Sequence, residues 1–167
     1  PARMNSSRLP KKLSLDLGGQ PVLARTLNQA LKTTAFDQII LATDSPQLAL
    51  IGQELGISVM MTPEDCANGS ERCAFVLKQD VYAENIVVLQ GDEPFIDPKL
   101  LDSLATTLVR EPIEMVSAMH PILSWDVFND PSVIKVICDH SDHAIYFSRS
   151  PIPYINRKTI SKPPVNT

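Results

Sequence analysis

Three short apolar runs, QIILAT at 38–43, ISVMM at 57–61 and NIVVLQ at 85–90, are separated by segments of helical periodicity. A run that is apolar on both faces suits a strand buried on both sides, and such strands belong to parallel sheets covered by helices. The intervening segments carry their own start and stop signals. Leu23, Leu27, Ala30 and Leu31 recur at i, i+4, i+7 and i+8, which predicts a helix from Pro21 to about Thr34 with one apolar stripe. Ser45 followed by Pro46 is an N-cap with proline at the first helical position, and Gly56 closes that helix. Asp97 and Pro98 repeat the device for a helix ending near Arg110, and a further helix is expected over 70–79. Strand and helix alternating through short connections predict an α/β fold built on a parallel sheet.

After Pro112 the pattern changes. EMVSAM at 114–119 and SVIKVICD at 132–139 look like strands, and AIYFSRSPIPY at 144–154 follows them, so either the sheet is expected to turn mixed or a small subdomain to begin. The polar, proline-rich end at 156–167 has no apolar period and is expected to be flexible. There is no internal repeat. The 167 residues, 44% hydrophobic, suit one soluble domain. A net charge of -4 argues against a general nucleic-acid or membrane-surface binder, so any role for positive charge must be local. No apolar run approaches the roughly 20 residues of a membrane helix, and no signal-peptide pattern opens the chain. Cys66, Cys73 and Cys138 lack zinc-type spacing and read as reduced, mostly buried residues of a cytoplasmic protein. His140 and His143 read as part of a solvated turn.

In open α/β sheets ligands bind beyond the carboxyl ends of the strands. Three polar segments follow strands here, TDS at 43–45, TPEDCANGSER at 62–72 and QGDEP at 90–94, and all three are expected on one rim. In the last, Asp92 follows a buried strand, with Gly91 to permit a tight turn and Pro94 to fix the exit. A carboxylate held there suits Mg²⁺, which favours one or two carboxylates plus water and phosphate oxygens. Gly91, Asp92, Glu93 and Pro94 also make a good plain turn. The opening PARMNSSRLPKK gathers Arg3, Arg8, Lys11 and Lys12, and arginine forks with a lysine point charge are what triphosphate recognition needs. A solvated basic loop is the alternative. Asn68, Gly69 and Ser70 turn into a helix with Ser70 as its expected cap, and Ser70 could meet a base or a phosphate. Arg149, just past YFS and before two prolines, is placed to meet an anion. There is no Walker motif, no G-x-G-x-x-G and no G-x-S-x-G elbow.

PARMNSSRLPKK, ATDS, NGSERC, VVLQGDEPFI, FNDPSVIKVICD and AIYFSRSPIPY together resemble, in order and spacing, the 3-deoxy-manno-octulosonate cytidylyltransferase (CMP-Kdo synthetase) family, over essentially the whole chain. The resemblance implies a three-layer α/β fold of the nucleotide-diphospho-sugar transferase type, with a mainly parallel, partly mixed sheet. It implies a Mg²⁺-dependent cytoplasmic homodimer that takes CTP and 3-deoxy-D-manno-octulosonate (Kdo) to CMP-Kdo and diphosphate for lipopolysaccharide synthesis. Carried over by position, Arg3, Arg8 and Lys12 hold the triphosphate, and Ser70 and Gln90 lie near the nucleotide. Asp92 is the metal carboxylate and, with Lys12, catalytic; Arg149 falls on the side of the sugar acid.

In these terms the chain is a single nucleotidyltransferase domain over 1–167, incomplete at both ends. A nucleotide-binding part is expected at 1–111, a mixed-sheet part for sugar binding and dimerisation at 112–155, and the tail at 156–167. The family has an opening strand before the position of Pro1 and a C-terminal third, beyond that of Thr167, which supplies a second metal carboxylate. Lys11 stands where the family often has glycine. Two other readings compete: a cytidylyltransferase for another acid sugar such as a sialic acid, and a non-catalytic nucleotide-binding remnant.

Overall fold

The apolar stripe of Leu23 and Leu27 becomes the centre of the core. In the computed structural model, which describes residues 1–5, 9–79 and 82–155, helix α1 runs Val22–Ala30 and buries both leucines. It stops short of the expected Thr34: the Lys32 and Thr33 amides tighten to i→i+3 bonds, and the Thr34 amide that would continue the ladder donates instead to the Asp102 carboxylate at 2.9 Å. Strand β1, Ile40–Thr43, follows. Helix α2, Pro46–Glu54, is capped as expected: the Ser45 hydroxyl accepts from the Leu48 amide, with proline at N1. Gly56, at φ 72°, turns the chain out of that helix. Strand β2, Ser58–Met61, then pairs in parallel with β1, Ile40 opposite Ser58 through Thr43 opposite Met61. Ala2, Leu13, Leu23, Leu27, Leu41, Leu48 and Ile57 form the core. Each leucine buried in this way contributes about 1.5–3 kcal/mol.

Helix α3, Gly69–Leu77, is capped by the Asn68 side chain, which accepts from the Glu71 amide at 2.9 Å. Ser70, the expected cap, lies inside the first turn instead. Helix α4, Pro98–Arg110, starts where Asp97 and Pro98 predict, with the Asp97 carboxylate accepting from the Lys99 amide at 3.0 Å.

Two expected strands do not form. NIVVLQ at 85–90 has no strand assignment, and Ile86 and Val88 are exposed. Ladder bonds need strands about 4.8 Å apart, whereas a cavity of about 550 Å³ is lined by Ile40 and Ala42 of β1 on one side and by Ile86, Val87 and Val88 on the other. The two segments are bridged at one end by the first two residues. The Ala2 amide donates to the Ala42 carbonyl at 2.8 Å, and the Gly91 amide donates to the Pro1 carbonyl at 3.2 Å. EMVSAM at 114–119 is likewise not a strand.

The elements described so far belong to the first of two units, Pro1–Ser117; the second begins at Ala118, within EMVSAM. There a short helix α5, Trp125–Asn129, precedes β3, Lys135–Cys138, and β4, Ala144–Ser148. The two strands pair antiparallel in a two-stranded sheet of their own, so of the two expectations after Pro112 it is the small subdomain that these residues form. Lys135 is 1% exposed. Its ammonium donates to the carbonyls of Asp130, Val133 and Arg149 at 2.7, 2.8 and 2.8 Å, which uses all three of its donors and makes the burial tolerable. The tail expected at 156–167 lies outside the described residues. The three cysteines are unpaired and half-buried, less enclosed than the sequence suggested.

Candidate functional site

The rim predicted at the carboxyl ends of the strands exists, and the chain's first residues set it. Once Ala2 has bridged to β1, Arg3 follows at the rim, and the Met4 amide donates to the Asp44 carboxylate at 3.2 Å. The loop returns through a single 3₁₀ turn, Lys12–Ser14, whose Leu13 is buried in the core. Lys11, just before that turn, sits at φ 55° and ψ 26°. This left-handed conformation is the one glycine adopts without steric cost, so the Lys11 side chain is carried there under strain.

Asp92 enters from the opposite side. Gly91 is buried, and its carbonyl accepts from the Thr26 hydroxyl at 2.9 Å. A Cβ there would lie 3.2 Å from Leu23 and 3.3 Å from both Ala2 and Leu13. Gly91 therefore serves close approach to the core as well as the expected tight turn, which the Glu93 amide closes on the Gln90 carbonyl at 3.3 Å with Gly91 outside the left-handed region. Beside it, the Lys12 ammonium donates to the Asp92 carboxylate in an ion pair whose side chains remain 37% and 38% exposed.

Arg3, Lys12, Asn68, Gln90 and Asp92 line one cavity of about 610 Å³. Gly69 also lines it, and a Cβ there would fall 2.9 Å from the Gln90 amide nitrogen, so a larger residue would have to displace the Gln90 carboxamide. The structure thus brings together four of the sequence-predicted residues, Arg3, Lys12, Gln90 and Asp92. Ser70 is exposed in the first turn of α3 and does not line the cavity; its neighbours Asn68 and Gly69 do. Arg8 lies outside the described residues. Arg149 belongs to the second unit, where its guanidinium donates to the carbonyls of Pro131 and Ser132 at 3.0 and 3.4 Å.

Two residues that sequence reasoning did not single out are Asp44 and Arg72. Arg72 is 2% exposed and donates to Asp44 at 2.8 Å, to the Thr62 hydroxyl and to the Pro63 carbonyl at 3.2 Å. TDS was read as a rim segment, but burial of the arginine in NGSER had no local signal.

Among the described residues no three His, Cys, Asp or Glu side chains group closely enough to cage a metal. A single accessible carboxylate beside cationic groups fits a hard cation that arrives with phosphate oxygens, which is how Mg²⁺ is commonly held. The arrangement suits binding an oligophosphate: Arg3 and Lys12 oppose its charge, and Asp92 would share the ion.

A family model described as cytidylyltransferase matches residues 1–163. The 3-deoxy-manno-octulosonate cytidylyltransferase of Chloroherpeton thalassium is 38% identical over 157 residues, covering 92% of this chain and 63% of that protein. The enzyme of the same name from Chlorobium limicola is 41% identical over 157 residues, with the same 92% and 63% covered. A solved CMP:2-keto-3-deoxy-manno-octonic acid synthetase complexed with CTP superposes at a TM-score of 0.87 and 35% identity, over 97% of this chain and 67% of that one. The α/β nucleotidyltransferase fold expected from the sequence is therefore the fold of this chain. The chain spans 63% of the length of these two curated relatives.

Proposed function

The chain belongs to the cytidylyltransferase family, and from that premise we propose that it activates 3-deoxy-D-manno-octulosonate with CTP, giving CMP-Kdo and diphosphate for lipopolysaccharide synthesis. The observation that carries the reading is the meeting of Arg3, Lys12, Gln90 and Asp92 on one cavity, with the Lys12–Asp92 ion pair on its wall. The relatives' names and the CTP complex of the structural neighbour supply the substrate class.

The reaction forms a bond between the sugar's anomeric oxygen and the α-phosphorus of CTP and breaks the bond to the β-phosphate, with the hydroxyl proton lost. Little covalent work falls to the protein, so positioning and electrostatics dominate. Arg3 and Lys12 bind and orient the triphosphate, and Lys12 opposes the charge that develops on departing diphosphate. Gln90 faces the nucleotide. Asp92 would hold the Mg²⁺ together with phosphate oxygens; when bound, the ion neutralises phosphate charge and makes the attacking hydroxyl more acidic.

The Lys12–Asp92 pair suits this sharing. A pair exposed by more than a third is worth about 0–1 kcal/mol, so exchanging partners, Lys12 to phosphate and Asp92 to the ion, costs little. With the reading go a cytoplasmic location and a homodimer. Exposed Ile145 and Phe147, on one face of β4, offer an apolar surface for such an association, and no described helix is long and apolar enough to cross a membrane.

The test is release of diphosphate on mixing the protein with CTP, Mg²⁺ and Kdo. Turnover that needs all three supports the reading. Turnover with a sialic acid in place of Kdo would move it to the other acid sugar, and CTP binding without any diphosphate would leave a nucleotide-binding remnant.

A further inference from the structure

The buried ion pair at the edge of the cavity divides its carboxylate between two elements. Asp44 Oδ2 accepts from Arg72 Nη2 at 2.8 Å, and Asp44 Oδ1 accepts from the Met4 amide at 3.2 Å. The Asp44 side chain is 10% exposed and that of Arg72 2%. Arg72 is itself held from the far side by Thr62, whose amide donates to the Thr43 carbonyl at 2.9 Å, so the guanidinium is fixed against the ends of both parallel strands. Asp44 cannot move without leaving a buried arginine short of its counter-charge.

Met4 follows Arg3 directly. Its amide is the described bond that ties the entry of the basic loop to a side chain of the sheet rim, just past the Ala2 bridge to β1. Arg3, by contrast, is exposed and lines the cavity. We infer that Asp44, locked by Arg72, is a positioning residue: it fixes the direction in which the basic loop leaves β1 and so aims Arg3 across the cavity. This rests on the nucleotide-binding reading of that cavity for its functional consequence, but the tie itself does not. Neither carboxylate oxygen needs to touch substrate for the effect, because both are engaged with the protein.

The test joins amide hydrogen exchange with CTP titration on the chain as it stands. Asp44→Asn should speed exchange at Met4 while far-ultraviolet circular dichroism is kept, and should weaken CTP binding about tenfold. In an Arg3→Ala background the same substitution should change CTP affinity less than about twofold, since the residue that Asp44 aims is gone. Equal losses in both backgrounds, or unchanged exchange at Met4, would overturn the proposal. Should Asp44→Asn fail to fold, Asp44→Glu replaces it: the charge facing Arg72 is kept but the carboxylate is displaced. Positioning predicts the same faster exchange and weaker binding for that variant, whereas a merely stabilising charge predicts wild-type values. If the unmodified protein binds no CTP, the proposed function fails, and exchange at Met4 still decides the tie.

Discussion

Lys12 and Asp92, 80 residues apart in the chain, meet in a hydrogen-bonded ion pair on the wall of one cavity. Each is delivered by a neighbour in the core: Leu13 is buried next to Lys12, and Gly91 is packed against Leu23 next to Asp92. The charged groups stay accessible while their backbones are fixed, the combination that a preorganised electrostatic site requires.

Asp92→Asn is expected to abolish Mg²⁺-dependent diphosphate release while leaving the fold in place. Because the pair is exposed, its loss should change stability by less than about 1 kcal/mol. Near-normal turnover alongside an unchanged denaturation midpoint would sink the metal assignment.

Lys12→Ala should lower the rate of diphosphate release by roughly 10²–10³, the scale of losing one preorganised charge-stabilising donor. The comparison to make is kcat at saturating CTP. A change confined to KM would show that Lys12 binds the ground state and the transition state equally.

Lys11→Gly should stabilise the protein by about 0.5–1 kcal/mol. A side chain at φ 55° is strained, and relieving that strain outweighs the added freedom of the unfolded chain. Urea titration of both forms is the check, and an unchanged or lower midpoint would contradict the strain argument.

Gly69→Ala should weaken CTP binding severalfold, because the new Cβ displaces Gln90 from 2.9 Å and crowds Pro1 at 3.0 Å. Helix α3 itself should not suffer, since alanine is the better helix former by about 1 kcal/mol. Calorimetric titration with CTP, read beside circular dichroism, separates the two effects.

Asp102 of α4 joins the loop after α1 by accepting from the amides of Thr34 and Ala35 at 2.9 and 3.0 Å. The Thr34 amide bond above all, then that from Ala35, holds its carboxyl below the usual 3.8. A depressed folded value means that stability is fully present above the unfolded value and is lost as pH falls through the folded one. Asp102→Asn should therefore cost stability at neutral pH, and the gap from wild type should close as pH falls below about 4. A gap that is constant with pH would show that the ionised form is not what the tie uses.

Local signals were legible where one segment sufficed. Ser45, Pro46 and Gly56 bound α2 as read, Asp97 and Pro98 open α4, and Leu23 and Leu27 lie in the core. Reading failed where a partner distant in sequence decides. NIVVLQ has the composition of a buried strand, yet a ladder forms only against a neighbour, and a cavity lies between it and β1. Ser70 and Asn68 are both good caps on composition, and only the backbone geometry at Asn68, φ -153° and ψ 176°, chooses between them.

By itself, then, the sequence determined which residue types stand at the strand ends and how far apart they lie along the chain, because capping, periodicity and turn chemistry act over a few positions. Tertiary structure alone decided that Lys12 reaches Asp92, that Arg72 is withdrawn into the fold by Asp44 rather than offered to solvent, and that Gly91 packs against the core as well as turning the chain. The physical reason is common to all three. A charge or a missing Cβ takes its meaning from what lies within a few ångströms, and those neighbours come from segments that only the folded core brings together.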